Sequence, residues 1–314
     1  MSSSRRSHSA LRLRANWLAA QVVGTISPRL ARRFLWRLWF TPFSIPQSPS
    51  ARERERGWLA GTEEVILPWA EGRVRCVVRG AGPTVLLIHG WGGWSGSMGA
   101  MIGPLAERGF RVVAVDLPAH GGSPGDLTNP FEIRKAVVAV AGQEGPIHAL
   151  ISHSMGGMAA MLALENGVRA QKLVLLSPAL RVEPARDRFA ELAKLRPRVM
   201  RQLVTSIERR YGSHVWDDLN GLRIAAGLER GRVPDTLILH DPRDRDAPIA
   251  DSEALAGVLP RATLVPMEGA GHHRILLSAE AIDQCLLIDR RGCLEHQVGD
   301  EAVELQRHEG CTFL

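Results

Sequence analysis

The chain has 314 residues, 45% of them apolar and 23% charged, with four cysteines and a formal charge of +6. That is the make-up of one globular domain with room for an inserted subdomain, and it excludes a chain disordered throughout and a collagen-like repeat. The excess charge is local, because residues 1–50 hold eight arginines and no Asp or Glu, so the near-neutral remainder gives no reason to expect nucleic acid as a partner.

The first element in chain order is a basic arm. Within PRLARRFLWRLWF the arginines at 29, 32, 33 and 37 follow helical spacing, and Leu30, Phe34 and Leu38 form a neighbouring stripe, which predicts an amphipathic helix. Apolar stretches such as WLAAQVVG fall far short of the roughly 20 residues needed to span a bilayer, and the interrupted run lacks an A-x-A site, which argues against a signal peptide. Three readings of the arm stay open. Its stripe packs on the body with the arginines in water, residues 11–43 lie against an anionic membrane surface, or the Ser- and Arg-rich start is an organelle transit peptide. TPFSIPQSPS, residues 41–50, carries three prolines and three serines and reads as a linker. The expected organisation is arm and linker over 1–50, a domain over 51–290 and a tail over 291–314.

From residue 62 onward short β-type runs alternate with helical patterns. EEVILP and GRVRCVVRG predict a hairpin, and TVLLIHG (84–90), RVVAVDLP (111–118), PIHALIS (146–152), KLVLLSP (172–178), TLILHDP (236–242) and ATLVPME (262–268) predict six more strands. The later runs are almost continuously apolar, as strands covered on both faces must be, so the fold class is α/β with a mostly parallel, doubly wound sheet. Met98 to Arg108 and Met155 to Asn166 suit crossover helices. The segment from 179 to 233 is far longer than one crossover needs, and ARDRFAELAKLRPRVMRQLVTSIERR within it has helical patterning, which predicts a helical cap there.

HALISHSMGG, residues 148–157, runs from a predicted strand into a helix sequence. Ligands of open α/β sheets bind beyond the carboxyl ends of the strands, and Ser154 falls at such a turn. With Ser152 before it and Gly156 after it the stretch reads S-x-S-x-G, one substitution from the G-x-S-x-G nucleophile elbow. Ser152 is the weaker candidate because Ser154, and not glycine, follows it by two.

Four blocks together resemble the α/β-hydrolase fold over about residues 62–290. LLIHGWGG (86–93) is similar to the H-G-x-G region of the oxyanion hole, and VDLPAHGGS (115–123) to D-x-P-G-H-G-x-S with Ala119 in place of glycine. SHSMGG is the elbow, and HDPRDRDAP with GAGHH supplies an acid and a base. The resemblance implies a Ser, acid, His order along the chain. Asp244 matches the acid by its spacing from His240 and Pro248, with Asp241 and Asp246 as alternates, and His272 matches the base ahead of His273. The backbone N–H groups of Trp91 and Met155 are the implied oxyanion donors.

What the resemblance implies is a serine hydrolase of the carboxylesterase or lipase type, acting on a small-molecule acyl substrate, with Trp91 and Trp94 near an apolar acyl pocket. The alternative is a non-catalytic module of the same fold that binds a small molecule or partner. His89 and His120 are expected to shape loops and Asp116 to stabilise a turn. The glycines of GWGGWSG miss the G-x-G-x-x-G spacing, and no P-loop or H-E-x-x-H occurs, so no cofactor and no metal are expected. Cys76, Cys285, Cys293 and Cys311 form no CxxC pair, which fits a reducing compartment and a cytoplasmic protein, with the arm as the means of peripheral attachment to the inner membrane surface.

Overall fold

The computed structural model describes residues 28–42 and 48–287. Residues 11–27 of the arm, the tail from 291, Cys293 and Cys311 lie outside them. Eight strands form one sheet: β1 (Glu63–Trp69), β2 (Gly72–Arg79), β3 (Thr84–Ile88), β4 (Arg111–Val115), β5 (Ile147–His153), β6 (Ala170–Leu176), β7 (Asp235–His240) and β8 (Ala262–Pro266). Their order is β1-β2-β4-β3-β5-β6-β7-β8. The β1–β2 hairpin and the β2–β4 pairing are antiparallel, and all other pairings are parallel.

The apolar strand runs bury both faces of the sheet. Leu86, Ile88, Val113, Val115 and Leu150 enter one core cluster, while Val85, Leu87, Val112, Ala114, Ala149 and Ile151 enter the other. In the central strands β3, β4 and β5 the twofold alternation thus puts nearly every residue against a core. The first cluster is closed by the helices Pro130–Glu144 and Met155–Glu165, and the second by Gly99–Glu107 and Ala279–Leu286. Between β6 and β7 the chain forms four helices, Val182–Leu192, Pro197–Tyr211, Val215–Asp218 and Gly221–Gly227.

Among the described residues two helices precede the sheet, α1 (Pro28–Phe40) and α2 (Pro49–Trp58). In α1, Leu35 and Phe40 are buried while Arg32, Arg33 and Arg37 stay exposed. The Trp36 ring stacks on Tyr211 with centroids 6.2 Å apart, and Trp39 meets Phe189 edge-on at 5.1 Å. The Phe40 carbonyl accepts the Thr128 N–H at 3.0 Å. Residues 28–40 therefore adopt the packed arrangement, where burying Leu35 and Phe40 contributes about 1.5–3 kcal/mol each. Pro49 and Ser50, from the stretch read as a linker, open α2. Its first turn is capped by Ser48, whose hydroxyl accepts the Ala51 N–H at 3.1 Å. No helix among the described residues is long and apolar enough to cross a membrane.

Candidate active site

Parallel register brings four loops to one edge. Ile88 pairs with Ser152, His153 with Leu176, Leu176 with Leu239, and His240 with Pro266. The chain leaving β3 carries Trp91, that leaving β5 carries Ser154, that leaving β7 carries Asp244, and that leaving β8 carries His272.

Ser154 has φ 53° and ψ −123°, a left-handed conformation for a residue with a β-carbon, worth about 1–3 kcal/mol of strain. Its neighbours fix it there. The Ser154 N–H donates to Leu176 O at 3.0 Å, and Ser154 O accepts from Gly157 and Ala179 at 2.8 and 2.9 Å. Gly156 is needed because a β-carbon there would stand 2.4 Å from Ile88 O and 2.7 Å from His89 O. Gly156→Ala should destabilise the fold by about 3 kcal/mol in urea unfolding, since both contacts are rigid backbone. An unchanged midpoint would show that the turn can relax.

The Ser154 hydroxyl donates to His272 Nε2 at 2.8 Å, and His272 Nδ1–H donates to Asp244 Oδ2 at 2.7 Å. Asp244 Oδ1 accepts the N–H groups of Asp246 and Ala247 at 2.8 and 3.0 Å, and the Asp244 side chain is fully enclosed. Burial alone would raise this carboxyl, but bonds from His240 and His272 and the Ala247 amide hold it far below the usual carboxylate range. A lasting negative charge therefore faces the His272 ring. The amides of Trp91 and Met155 donate to no protein atom among the described residues. Met155 begins the helix after the elbow, where the first N–H groups have no intrahelical acceptor.

The other sequence candidates lie elsewhere. Ser152 is buried with its hydroxyl toward Val174 O at 3.5 Å. Asp246 is exposed beside Arg188 at 3.6 Å, and His273 is exposed, its ring edge-on to His272 at 4.8 Å. Asp116 is buried and gathers the N–H groups of Ser95 and Gly122 and the Arg75 guanidinium at 2.6, 2.7 and 2.9 Å. His89 Nε2 accepts the Leu117 N–H at 3.1 Å while its Nδ1–H donates to Gly90 O at 2.7 Å. His120 Nδ1–H donates to Pro118 O at 2.9 Å, and burial pushes its pKa down to about 3. These three residues tie loops together.

Two more residues lie beside Ser154, His272 and Asp244: His153, to which the sequence analysis gives no role, and Asp241, an alternate there for the acid. His153 is buried, donates Nε2–H to His272 O at 2.8 Å, and is held neutral by burial and by its neighbour His272, with a pKa of about 3. Asp241 accepts the Arg243 N–H at 2.9 Å and the Gly271 N–H at 2.6 Å, clamping the acid loop to the histidine loop. Burial would raise the Asp241 carboxyl, yet these amides lower it. Its contribution to stability is therefore present above about pH 4, its unfolded value, and lost as pH falls toward the folded one. Asp241→Asn should lower stability by about 1–2 kcal/mol at pH 7, with the gap from the parent closing below pH 4 in thermal melts. A gap independent of pH would overturn the clamp.

Two sets of side chains bring three donor atoms within 4.8 Å of one another, His153 with His272 and His273, and Asp244 with Asp246 and His272. Both depend on His272, whose two ring nitrogens already bond to Ser154 and Asp244.

Two cavities meet at Ser154. One, of about 410 Å³, is walled by Met155 and Met158, by Phe131, by Phe189, Tyr211 and Trp216 from the helices between β6 and β7, and by Leu38, Trp39 and Phe40 of α1. The other, of about 630 Å³, runs past Trp91 and Trp94 toward α2.

A sheet of this order with a strained serine at the end of β5 defines an α/β-hydrolase architecture. The chain belongs to the alpha/beta hydrolase family, whose model matches residues 85–285. It is 27% identical over 248 residues to the pimeloyl-[acyl-carrier protein] methyl ester esterase of Xanthomonas campestris pv. campestris, covering 67% of this chain and 95% of that protein. Among solved structures, a thermophilic esterase from Thermogutta terrifontis superposes with a TM-score of 0.52 at 20% identity, covering 71% of this chain and 96% of the other. The thioesterase domain from the curacin biosynthetic pathway gives 0.54 at 19%, covering 72% and 99%. These two share the fold.

Proposed function

We propose that the protein is a serine hydrolase that cleaves a carboxylic ester or related acyl compound. The observation that carries this reading is the unbroken run of hydrogen bonds from the Ser154 hydroxyl through His272 to the enclosed Asp244. In this reading His272 Nε2 removes the Ser154 proton as Oγ attacks the acyl carbon, and Asp244 holds the ring tautomer and stabilises the imidazolium. The oxyanion is met by the N–H groups of Trp91 and Met155, each worth about 10²- to 10³-fold in kcat. The carbon–oxygen bond to the alcohol breaks as His272 returns the proton to it. Water, deprotonated by His272 in turn, then releases the acid from the acyl-enzyme.

The apolar cavity walled by α1 and the cap helices suits the acyl chain. The name of the Xanthomonas relative, an esterase of an acyl-carrier methyl ester, supports acyl esters as the substrate class. Each methylene buried is worth about 0.8 kcal/mol. For p-nitrophenyl esters from acetate to decanoate, kcat/KM should therefore climb by well over tenfold with chain length before levelling off. A flat profile would remove the cavity from the acyl role. No turnover of any ester by a folded protein would favour a non-catalytic binding module.

A further inference from the structure

We infer that the second cavity at Ser154 is a leaving-group subsite for a phosphate-bearing alcohol or thiol. This rests on the hydrolase reading above. A substrate with its carbonyl at Ser154 must send its two substituents in different directions, and the two cavities that meet there differ in chemistry. Transfer from water draws a hydrocarbon chain into the apolar one. The leaving group then faces the groove that contains Arg52, Arg54 and Arg56 of α2 and Arg274 from the loop after His272.

Among the described residues the groove is lined by five arginines and one carboxylate, Glu55, so its balance is positive. Arg75 also borders it, but Glu64 and Asp116 hold that guanidinium at 2.6 and 2.9 Å. Glu55 accepts the Trp94 Nε1–H at 2.6 Å. Arg54 lies over the Trp58 ring at 5.5 Å and Arg274 donates to Gly269 O at 2.9 Å, and neither they nor Arg52 and Arg56 form an ion pair with a carboxylate among the described residues. Arg52 and Arg56 are one helical turn apart and share a face of α2. The helix is firmly seated, with Ser48 capping its start and Trp58 packed so closely on Gly99 that a β-carbon there would approach to 2.8 Å. Guanidinium forks carried on a seated helix and lining the same cavity as Ser154 suit a phosphate, which accepts two parallel N–H bonds.

Two sources present this chemistry at different distances from the acyl group, a lipid headgroup and a phosphopantetheine arm. The test uses matched pairs: decanoyl esters of glycerol 3-phosphate and of glycerol, and decanoyl thioesters of phosphopantetheine and of pantetheine. In at least one pair kcat/KM should favour the phosphate member by at least about tenfold, falling as salt is raised. Which pair does so identifies the source. In Arg52→Gln/Arg56→Gln the ratio should drop toward one, and in Arg52→Lys/Arg56→Lys most of it should survive. A ratio near one in both pairs, or a ratio unaffected by the glutamine pair, overturns the subsite.

A binding measurement keeps this separate from failure of the hydrolase reading. Phosphopantetheine and glycerol 3-phosphate are titrated against Ser154→Ala, which needs no turnover. At least one should bind, with affinity weakened about fivefold or more by the added glutamine pair. Absence of binding, or binding indifferent to those arginines, overturns the subsite whatever the protein hydrolyses.

Discussion

Ser154→Ala is expected to lower kcat on the best ester by about 10⁵- to 10⁶-fold and to abolish labelling by a fluorophosphonate probe. The substitution removes Oγ alone. Alanine keeps the β-carbon, so the strained φ of 53° persists, and the bonds that fix the elbow come from the backbone. Stability should therefore stay within about 1 kcal/mol of the parent, the worth of the single lost hydrogen bond to His272. That separation of effects makes the test sharp. Full labelling of the variant would point to another nucleophile, and Ser152 is a poor substitute, being buried with its hydroxyl turned toward β6. Loss of activity together with collapse of the fold would say nothing for Ser154 as nucleophile, so the unfolding curve is measured on the same preparation.

The strands from β3 onward were legible because each is a short, mostly apolar run, and the turn at Ser154 because its chemistry is local. A sharp turn needs small residues two places either side, and that constraint is written within five positions. What the sequence could not display is contact at a distance. Nothing in RERERG, which alternates charge without an apolar stripe, announces that α2 is a helix, that Glu55 turns inward to Trp94, or that its arginines border a groove at Ser154. The stripe of Leu30, Phe34 and Leu38 made α1 visible as a helix, but the rings that dock it are Trp36 and Trp39, whose partners Tyr211 and Phe189 lie some 150 residues or more away in the chain. Several folded arrangements share that stripe, and only the tertiary structure chooses among them.

Asp241 belongs to the same class of hidden contact, and it sharpens the second large prediction. Asp244→Asn should lower kcat about 10⁴-fold, while Asp241→Asn should lower it by no more than about tenfold. Both acids lie on one loop, both are held below their ordinary pKa, and both reach the histidine loop, but they touch different atoms. Asp244 accepts the ring proton of His272, so an amide in its place can present an N–H to Nδ1 and select the tautomer that no longer accepts from Ser154. Asp241 accepts the amide of Gly271, one residue before the histidine. Its loss loosens the loop without changing which nitrogen carries the proton. The expected signature of Asp241→Asn is a small fall in kcat with a fall in melting temperature, and that of Asp244→Asn a large fall in kcat. Equal and large losses of kcat from both variants, in folded protein, would mean that placement of the loop, and not the tautomer of His272, limits the reaction.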